Sequence, residues 1–263
     1  MDSLKSEDRS SLLVVDRLSV NFGRLAAVSE LDFNIQAQEI FGLIGPNGAG
    51  KTTVFNAITS AVPLSGGTIR FDGQDVSRLK PHQITAAGIV RVHQSANVFP
   101  ETTVREHVMT GLHCRTATSV LGAVLNTPFC RKEEARGHDK AGELMALALL
   151  EDVQGQPASS LTWAQQKRLM VATALATRPK LLLLDEPVAG MNSDEIEEML
   201  DLVAAVRKQG MTVFVIEHNM QVMMRICDRM LVMNYGRKLT EGNPEKISQD
   251  PKVIEAYLGY KQK

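Results

Sequence analysis

The opening third of the chain shows a loose alternation of hydrophobic and polar positions from residue 12 to residue 35. This alternation predicts short β-strands joined by a turn at residues 21–24. A further strand is predicted at residues 68–71, between two glycine-containing turns, and a short buried strand at residues 89–93, ending at Gln94. Together these elements predict a mixed sheet.

The middle of the chain has almost no strand signal between about residue 102 and residue 178, and much helical spacing. One such helical segment is lined by four leucines, Leu144, Leu147, Leu149 and Leu150. An apolar insert near residues 118–129 is interrupted by glycine and proline. The middle therefore predicts a helical subdomain that is inserted into the rest of the fold.

Strand signals return in the last third at residues 180–185 and 211–216, with a helix predicted between them at residues 193–207. Strands that alternate with helices predict a parallel sheet covered on both faces. Three further elements are predicted to close the chain: strands at residues 230–233 and 237–239 and a helix at residues 251–260.

Composition is that of an ordinary globular protein, because 44% of the 263 residues are hydrophobic and 22% are charged. The formal charge of -1 offers no overall electrostatic footprint for nucleic acid, although a local basic patch is left open. The apolar runs are far too short to span a membrane, and the polar N-terminus has no signal-peptide core. Three widely spaced cysteines without a C-x-x-C motif indicate reduced thiols in a cytoplasmic protein.

A glycine-rich segment at residues 45–53, Gly-Pro-Asn-Gly-Ala-Gly-Lys-Thr-Thr, fits the phosphate-loop pattern G-x-x-x-x-G-K-[ST]. Residues 39–44 are apolar enough for a buried strand and residues 54–58 can continue as a helix, which is the context that the pattern requires. The glycines let backbone N–H groups crowd an anion at a helix start. The competing interpretation is a glycine-rich turn that binds nothing.

Four residues are predicted to carry the chemistry of this loop and of a later acidic pair. Lys51 would reach the β- and γ-phosphates of a nucleotide, and the Thr52 hydroxyl would ligate Mg²⁺. Asp185 ends the predicted strand, where parallel sheets bind ligands, and would hold Mg²⁺ through its water shell. Glu186 would orient or deprotonate an attacking water. The alternative for the acidic pair is a strand end followed by a solvated turn.

With these motifs the chain resembles the ATP-binding-cassette (ABC) ATPases over nearly its whole length, from about residue 12 to residue 259. Phe22 stands where that family stacks an aromatic ring on adenine. Gln94 stands where a glutamine links Mg²⁺ and the attacking water to the helical subdomain, and His218 matches the histidine near the γ-phosphate. The structural alternatives are a core or turn aromatic, a solvated strand end and a hydrogen-bonded histidine.

The family's signature sequence L-S-G-G-Q is replaced in this chain by Leu-Thr-Trp-Ala-Gln at residues 161–165. In the family this segment contacts the γ-phosphate of ATP held by the other subunit, and residues 189–192 stand where the D-loop lies. Trp163 and Ala164 replace the two glycines. The resemblance therefore implies either that ATP is clamped with altered geometry or that turnover is slow.

The resemblance implies three sets of site residues. The expected catalytic residues are Lys51, Gln94, Glu186 and His218. The expected metal-binding residues are Thr52, Gln94 and Asp185. The expected nucleotide-binding residues are Phe22, Gly45, Pro46, Asn47, Gly48, Ala49, Gly50, Lys51, Thr52, Thr53, Thr162, Ala164 and Gln165. ATP and Mg²⁺ are the expected cofactors.

The resemblance also implies an α/β fold of the P-loop NTPase class, with a RecA-like parallel-sheet core, an N-terminal antiparallel β subdomain and an inserted α-helical subdomain. The expected nucleotide-binding domain covers residues 12–260. Its expected parts are a core at residues 12–94 and 179–245, the helical subdomain at about 95–178 and a C-terminal helix at about 244–260. Residues 1–11 are expected to form a flexible tail.

Among ABC ATPases the chain looks most like the subunits that energise bacterial import of branched-chain amino acids, and like the related urea and amide importers. Asn56 after the phosphate loop contributes to this likeness. The endings at residues 243–247 and 253–259 are its most specific part, because they lie outside the chemistry shared by all ABC proteins.

This likeness implies a Mg-dependent ATPase that drives import from the cytoplasmic face of the inner membrane. The expected partners are a second ABC ATPase subunit, identical or paralogous, membrane permease subunits and, indirectly, a periplasmic or extracellular solute-binding protein, with no nucleic acid. Two alternatives stay open: a soluble ABC ATPase without a membrane partner, and a nucleotide-binding regulatory subunit that is impaired in hydrolysis.

Overall fold

The computed structural model describes residues 11–95, 97–113 and 128–258, excluding the side chains of residues 113, 128–134 and 258. The described chain contains two compact units. The first unit holds residues 11–91, 180–186 and 206–258, and the second holds the described residues of 92–179 and 187–205. The second unit thus extends beyond the helical subdomain expected at about 95–178, and the expected domain boundaries stay predictions.

Three sequence predictions lie partly outside the described residues. Only Ser11 of the expected tail at residues 1–11 is described, and it is the first residue of a strand. Most of the apolar insert at residues 118–129 and the end of the terminal helix predicted at residues 251–260 also lie outside.

Ten strands occur within the described residues. They are β1 (Ser11–Phe22), β2 (Leu25–Gln36), β3 (Ile40–Ile44), β4 (Gly66–Phe71), β5 (Gln74–Asp75), β6 (Ile89–Val92), β7 (Leu181–Asp185), β8 (Thr212–Ile216), β9 (Arg229–Asn234) and β10 (Arg237–Gly242).

Nine α-helices occur within the same described ranges. They are α1 (Lys51–Ile58), α2 (Pro81–Ala87), α3 (Val104–His113), α4 (Pro128–Leu147), α5 (Trp163–Ala176), α6 (Ser193–Lys208), α7 (Met220–Ile226), α8 (Pro244–Ser248) and α9 (Pro251–Leu258).

The described part of the chain forms two sheets, and together with the helices they confirm the predicted α/β class. The first is antiparallel, in the order β2-β1-β4-β5, and includes the alternating N-terminal segment. The second has the order β10-β9-β3-β8-β7-β6, with β9, β3, β8 and β7 paired in parallel and β10 antiparallel to β9. Every residue of β3, β7 and β8 is buried, as expected for strands covered on both faces.

Four phenylalanines form the centre of the first unit's core. Phe33 of β2 stacks on Phe41 of β3 with ring centroids 5.7 Å apart, and Phe55 of α1 meets Phe214 of β8 edge-on at 4.8 Å. Phe41 and Phe214 are 5.4 Å apart, so the four rings are continuous. Aromatic pairs in these arrangements are favourable beyond the area that they bury. The cluster therefore fixes α1, and with it the start of that helix, against the parallel sheet.

Helices α3 and α5 of the second unit approach each other at Gly111. A Cβ atom added there would lie 2.3 Å from the backbone oxygen of Thr173, so only glycine fits this crossing. One turn before, the Nδ1 atom of His107 lies 3.0 Å from the Thr173 hydroxyl oxygen. Helices α3 and α5 are thus held together by the close approach of their backbones at Gly111 and by a partly buried polar contact between His107 and Thr173.

The predicted leucine stripe is wrong at one position. Leu144 and Leu150 are buried, but Leu149 is 57% exposed. Helix α4 ends at Leu147, and Leu149 has a left-handed backbone with φ of 55°. The helical periodicity therefore stops before Leu149, and the turn directs its side chain to solvent.

No helix within the described residues is long and apolar enough to cross a membrane. Cys227 is buried, and burial raises the pKa of its thiol, which keeps the thiol protonated. The other two cysteines have no described side chain.

The buried histidine of the second unit predicts a pH-dependent stability. Burial lowers the pKa of His107, so the folded state holds the imidazole neutral, whereas the unfolded state takes up a proton below about pH 6.5. Stability is therefore expected to fall as the pH drops below that value, because the unfolded state then binds a proton that the folded state does not. Urea unfolding followed by circular dichroism at pH 7.5 and 5.5 measures this loss.

His107→Asn should reduce the acid-induced loss, because the amide can keep the contact with Thr173 without titrating. His82→Asn is the matched control, since His82 is exposed on α2. An equal acid-induced loss in wild type and His107→Asn would contradict the prediction.

Candidate nucleotide-binding site

The phosphate-loop sequence at residues 45–53 follows β3, as predicted, and its last three residues already belong to α1, which begins at Lys51. Gly45, Gly48 and Gly50 have φ values of 153°, 80° and 98°. A Cβ atom would lie 2.2 Å from the Met233 oxygen at Gly45 and 2.6 Å from the Ala27 oxygen at Gly50. The loop therefore needs glycine for close approach as well as for its backbone angles.

Helix α1 begins without a side-chain cap. Its N-cap residue is Gly50, which has no side chain to accept a hydrogen bond from the first N–H groups, and the first turn has no acidic residue. The N–H groups at such a helix start carry partial positive charge and suit an anion.

Lys51 is held inside the loop. Its Nζ atom donates to the backbone oxygens of Gly45 at 2.7 Å and Pro46 at 3.1 Å, and the residue is only 7% exposed. Burial lowers the pKa of the Lys51 ammonium, and the charges of Glu186 and Asp185 oppose part of that shift. The loop thus presents a positive charge beside its N–H groups.

A cleft of about 610 Å³ opens beside this loop. It is lined by Leu25, Ala26, Ala27, Asn47, Gly48, Ala49, Gly50, Lys51, Thr52, Thr53, Glu186, Tyr235 and Gly236. The structure therefore gathers most of the predicted phosphate loop and the predicted catalytic carboxylate around one space.

The aromatic residue predicted to stack on adenine lies at the hairpin beside the cleft. Phe22 is 49% exposed and pairs across the β1–β2 hairpin with Leu25, which lines the cleft. Tyr235, which sequence reasoning missed, also lines the cleft and is 76% exposed in a left-handed turn between β9 and β10. Its one sequence signal is its position before Gly236 between two predicted strands. The stacking role of Phe22 stays a prediction.

The acidic pair follows β7 as predicted. Asp185 is buried and forms an ion pair with Arg91 of β6, at 2.5 Å between Oδ2 and the nearer guanidinium nitrogen. Glu186 has a left-handed backbone with φ of 48°, and its N–H donates to the Ile216 oxygen at 2.9 Å. A non-glycine residue in this region costs about 1 kcal/mol or more, which is the kind of local strain found at functional sites. Sequence reasoning did not single out Arg91.

His218 follows β8 and lies close to the predicted catalytic carboxylate. Its Nδ1 atom is 3.8 Å from Oε1 of Glu186 and 3.8 Å from Oε2 of Glu217. The backbone N–H of His218 donates to the same Glu217 oxygen at 3.1 Å. The structure therefore brings Glu186 and His218 together at the carboxyl ends of two neighbouring strands.

The residues of the site fit Mg²⁺ bound together with a nucleotide. Thr52 supplies a hydroxyl in the first turn of α1, and Asp185 supplies a carboxylate at the sheet edge. Within the described residues no cluster of three or more histidine, cysteine or acidic side chains could hold a metal alone. Mg²⁺ commonly takes one or two protein oxygens and completes its shell with water and phosphate.

Gln94 belongs to the second unit and lies two residues after the end of β6. Its backbone oxygen accepts a hydrogen bond from the ammonium of Lys167, a residue that is only 1% exposed on α5. This contact fixes the backbone where β6 leads into the unit. The catalytic and metal-binding roles of Gln94 stay predictions.

The signature segment forms the capped start of α5. The Thr162 hydroxyl accepts from the Gln165 N–H at 3.3 Å, and the Gln165 side chain accepts from the Thr162 N–H at 3.0 Å. Ala164 is helical and buried, so its methyl group packs within the unit. This reciprocal capping gives Thr162 and Gln165 a structural role.

Trp163 connects the signature segment to the turn at residues 187–191 of the same unit. Its indole Nε1 donates to the Ala189 oxygen at 3.0 Å, and the Lys167 ammonium lies 5.3 Å from the ring centroid. The ring is 43% exposed. Trp163 therefore makes a contact that glycine could not make.

A glycine-rich phosphate loop, a strand-end acidic pair and a neighbouring histidine define a nucleotide-hydrolysing protein of the P-loop class. A family model described as ABC transporter matches residues 28–189, and one described as branched-chain amino acid ATP-binding cassette transporter matches residues 237–261. The chain belongs to the ABC transporter family, as an ATP-binding subunit with ABC-type ATPase activity that uses ATP and Mg²⁺.

Two relatives are the high-affinity branched-chain amino acid transport ATP-binding proteins LivG of Escherichia coli K12 and BraF of Pseudomonas aeruginosa. LivG is 41% identical over 250 residues and BraF 38% over 249, each match covering 94% of this chain and 98% of the relative.

Solved structures of ABC cassettes have the same fold. The ADP conformation of the cassette MJ1267 superimposes with a TM-score of 0.82 at 28% identity, covering 95% of this chain and 99% of that one. A nucleotide-free cassette gives 0.79 at 27% identity, covering 94% and 98%.

Trp163→Phe tests the contact between the signature segment and the turn. The substitution keeps an aromatic ring but removes the donor to Ala189, which is expected to lower the free energy of unfolding by about 0.5–1.5 kcal/mol. Urea unfolding followed by circular dichroism gives this value.

Trp163→Ala, which also removes the ring contact with Lys167, should cost more. Equal stability of wild type and Trp163→Phe would show that the hydrogen bond contributes nothing.

Proposed function

We propose that this chain is the ATP-hydrolysing subunit of an importer for branched-chain amino acids. The observation that carries the cargo assignment is the match of residues 237–261 to the branched-chain amino acid cassette family. This segment holds β10, α8 and α9, outside the nucleotide chemistry that all ABC proteins share. The names of the relatives LivG and BraF support the same cargo.

The proposed assembly contains two cassettes that close head to tail around two ATP molecules. The second cassette is a copy of this chain or a paralogue, and membrane permease subunits hold the pair at the cytoplasmic face of the inner membrane. A periplasmic or extracellular solute-binding protein delivers the cargo to the permease. The capped start of α5, with Thr162, Ala164 and Gln165, is the part of each chain proposed to face the nucleotide of the other.

The phosphate loop is proposed to bind the β- and γ-phosphates through its N–H groups and the start of α1. For this, the Lys51 ammonium exchanges its hydrogen bonds to Gly45 and Pro46 for bonds to phosphate oxygens. Thr52, Asp185 and Gln94 are the proposed holders of Mg²⁺, which neutralises charge on the phosphates when it is bound. Phe22 is proposed to contact the base.

Glu186 is proposed to orient the attacking water and to accept its proton. His218 is proposed to hold the water and the γ-phosphate in line, which its distance of 3.8 Å from Glu186 supports. Glu186 has a left-handed backbone and lines the cleft beside the phosphate loop, which supports its proposed role. The helical subdomain predicted at about residues 95–178 is proposed to take part in the contact with the permease.

Glu186→Gln tests the catalytic assignment. Without a carboxylate to take the proton, hydrolysis should fall by a factor of about 10² or more while ATP binding persists. The variant should therefore accumulate as an ATP-bound dimer on size-exclusion chromatography. Glu151→Gln, at an exposed position of the second unit, should behave as wild type. Normal turnover in Glu186→Gln would rule out Glu186 as the catalytic carboxylate.

Reconstitution with the permease and the binding protein tests the cargo. ATP hydrolysis in proteoliposomes is expected to rise when the binding protein is loaded with leucine, isoleucine or valine. Stimulation by urea or a small amide alone would reassign the cargo. Hydrolysis that ignores the permease would favour a soluble ABC ATPase, and binding without hydrolysis would favour a regulatory subunit.

A further inference from the structure

We propose that Arg91 is a positioning residue that sets the geometry of the magnesium site, an inference that rests on the proposed roles of Thr52 and Asp185. Arg91 lies on β6, three residues before Gln94, and its side chain is only 6% exposed. It is the buried cation in contact with the carboxylate that is proposed to hold Mg²⁺.

One arm of the Arg91 guanidinium fixes Asp185. The terminal nitrogen Nη2 donates to Oδ2 of Asp185 at 2.5 Å, and the Asp185 side chain is 8% exposed. A carboxylate with one oxygen committed in this way has a defined orientation for its second oxygen. The second oxygen, Oδ1, is thus the atom of Asp185 that would bind the water shell of a metal.

The other arm reaches the helix that carries Thr52. Nη1 of Arg91 donates to the side-chain oxygen Oδ1 of Asn56 at 2.7 Å. Asn56 lies four residues after Thr52 on α1, and residues at this spacing share one face of a helix. The guanidinium therefore spans the interval between the end of β7 and the face of α1 that presents the Thr52 hydroxyl.

The surroundings of Arg91 hold this bridge in place. The guanidinium carbon lies 5.5 Å from the centroid of the Phe55 ring, which is part of the first unit's aromatic core. The donors of a planar guanidinium are arranged in a rigid fork. The positions of the two acceptors that it binds, on Asp185 and Asn56, are therefore fixed relative to each other. A lysine ammonium is a point charge on a flexible stem and would not keep that relation.

Stability alone does not account for a charge pair at this depth. A buried ion pair gains little net stability, because the attraction is largely offset by the loss of hydration of both groups. The Nε atom of Arg91 is also buried without a hydrogen-bond partner within the described residues, which adds a cost. The arrangement instead fixes the spacing of two oxygen donors, as groups that contact metal ligands often do.

The test measures how Mg²⁺ strengthens the binding of AMP-PNP, a non-hydrolysable ATP analogue, by titration calorimetry at increasing Mg²⁺. Arg91→Gln is expected to raise the half-saturating Mg²⁺ concentration about tenfold. Affinity for AMP-PNP in EDTA should stay within twofold of wild type, because the phosphate loop is untouched. Arg91→Lys should also show the rise, since it keeps the charge but not the fork.

Arg229→Gln is a closely matched control. Arg229 in the same unit also bonds a carboxylate, Glu39 at 2.8 Å, and an asparagine, Asn34 at 3.0 Å, beside an aromatic ring, Phe41 at 4.9 Å. It contacts none of the residues proposed to hold the nucleotide or Mg²⁺. Its loss should lower stability and leave the half-saturating Mg²⁺ concentration unchanged.

The inference is overturned if Arg91→Gln leaves the half-saturating Mg²⁺ concentration within twofold of wild type, or if Arg229→Gln raises it equally. If Arg91→Gln does not fold, Asn56→Leu replaces it; this variant removes one arm and should raise the value, and no rise would refute the bridge. Wild-type binding that ignores Mg²⁺ would instead contradict the proposed function, so the two failures are distinguishable.

Discussion

A lysine ammonium buried at the edge of an apolar sheet is the constraint on which the rest of the site depends. Burying a charge is costly unless hydrogen bonds and opposite charges compensate, and Lys51 has two loop carbonyls and two nearby carboxylates for this purpose. The loop must therefore curl back on its own lysine, which explains its three positive-φ glycines. The oxygens of a triphosphate are stronger acceptors for the same ammonium. The fold therefore holds a buried positive charge that a bound nucleotide can pair with in place of the loop carbonyls.

The parallel sheet makes this arrangement possible by bringing distant residues to one edge. Strands β3, β7 and β8 are wholly buried, and at their carboxyl ends stand the phosphate loop, the acidic pair and His218. The aromatic core from Phe33 to Phe214 keeps α1 against these strands. The strained backbone of Glu186 is tolerated because β8 binds its N–H.

Local patterns were enough to predict much of this architecture. Continuous apolar runs marked β3, β7 and β8, helical spacing marked α6, and the glycine spacing marked the phosphate loop. Contacts between residues far apart in sequence could not be predicted in this way: Arg91 meets Asp185 across 94 residues, and Trp163 meets Ala189 across 26. The exposure of Leu149 was not predicted either. The helical spacing of leucines in the sequence runs through this position, but the left-handed backbone of Leu149 lies in a turn after the helix.

The central claim is that the buried Lys51 and its loop bind a nucleoside triphosphate. Titration calorimetry of ATP with Mg²⁺ into the purified chain and into Lys51→Met, whose side chain has similar length and no charge, tests this claim most directly. Wild type is expected to bind one ATP per chain, and the variant at least about tenfold more weakly, because charged hydrogen bonds to the phosphates are lost. Equal affinity in both proteins would contradict the account.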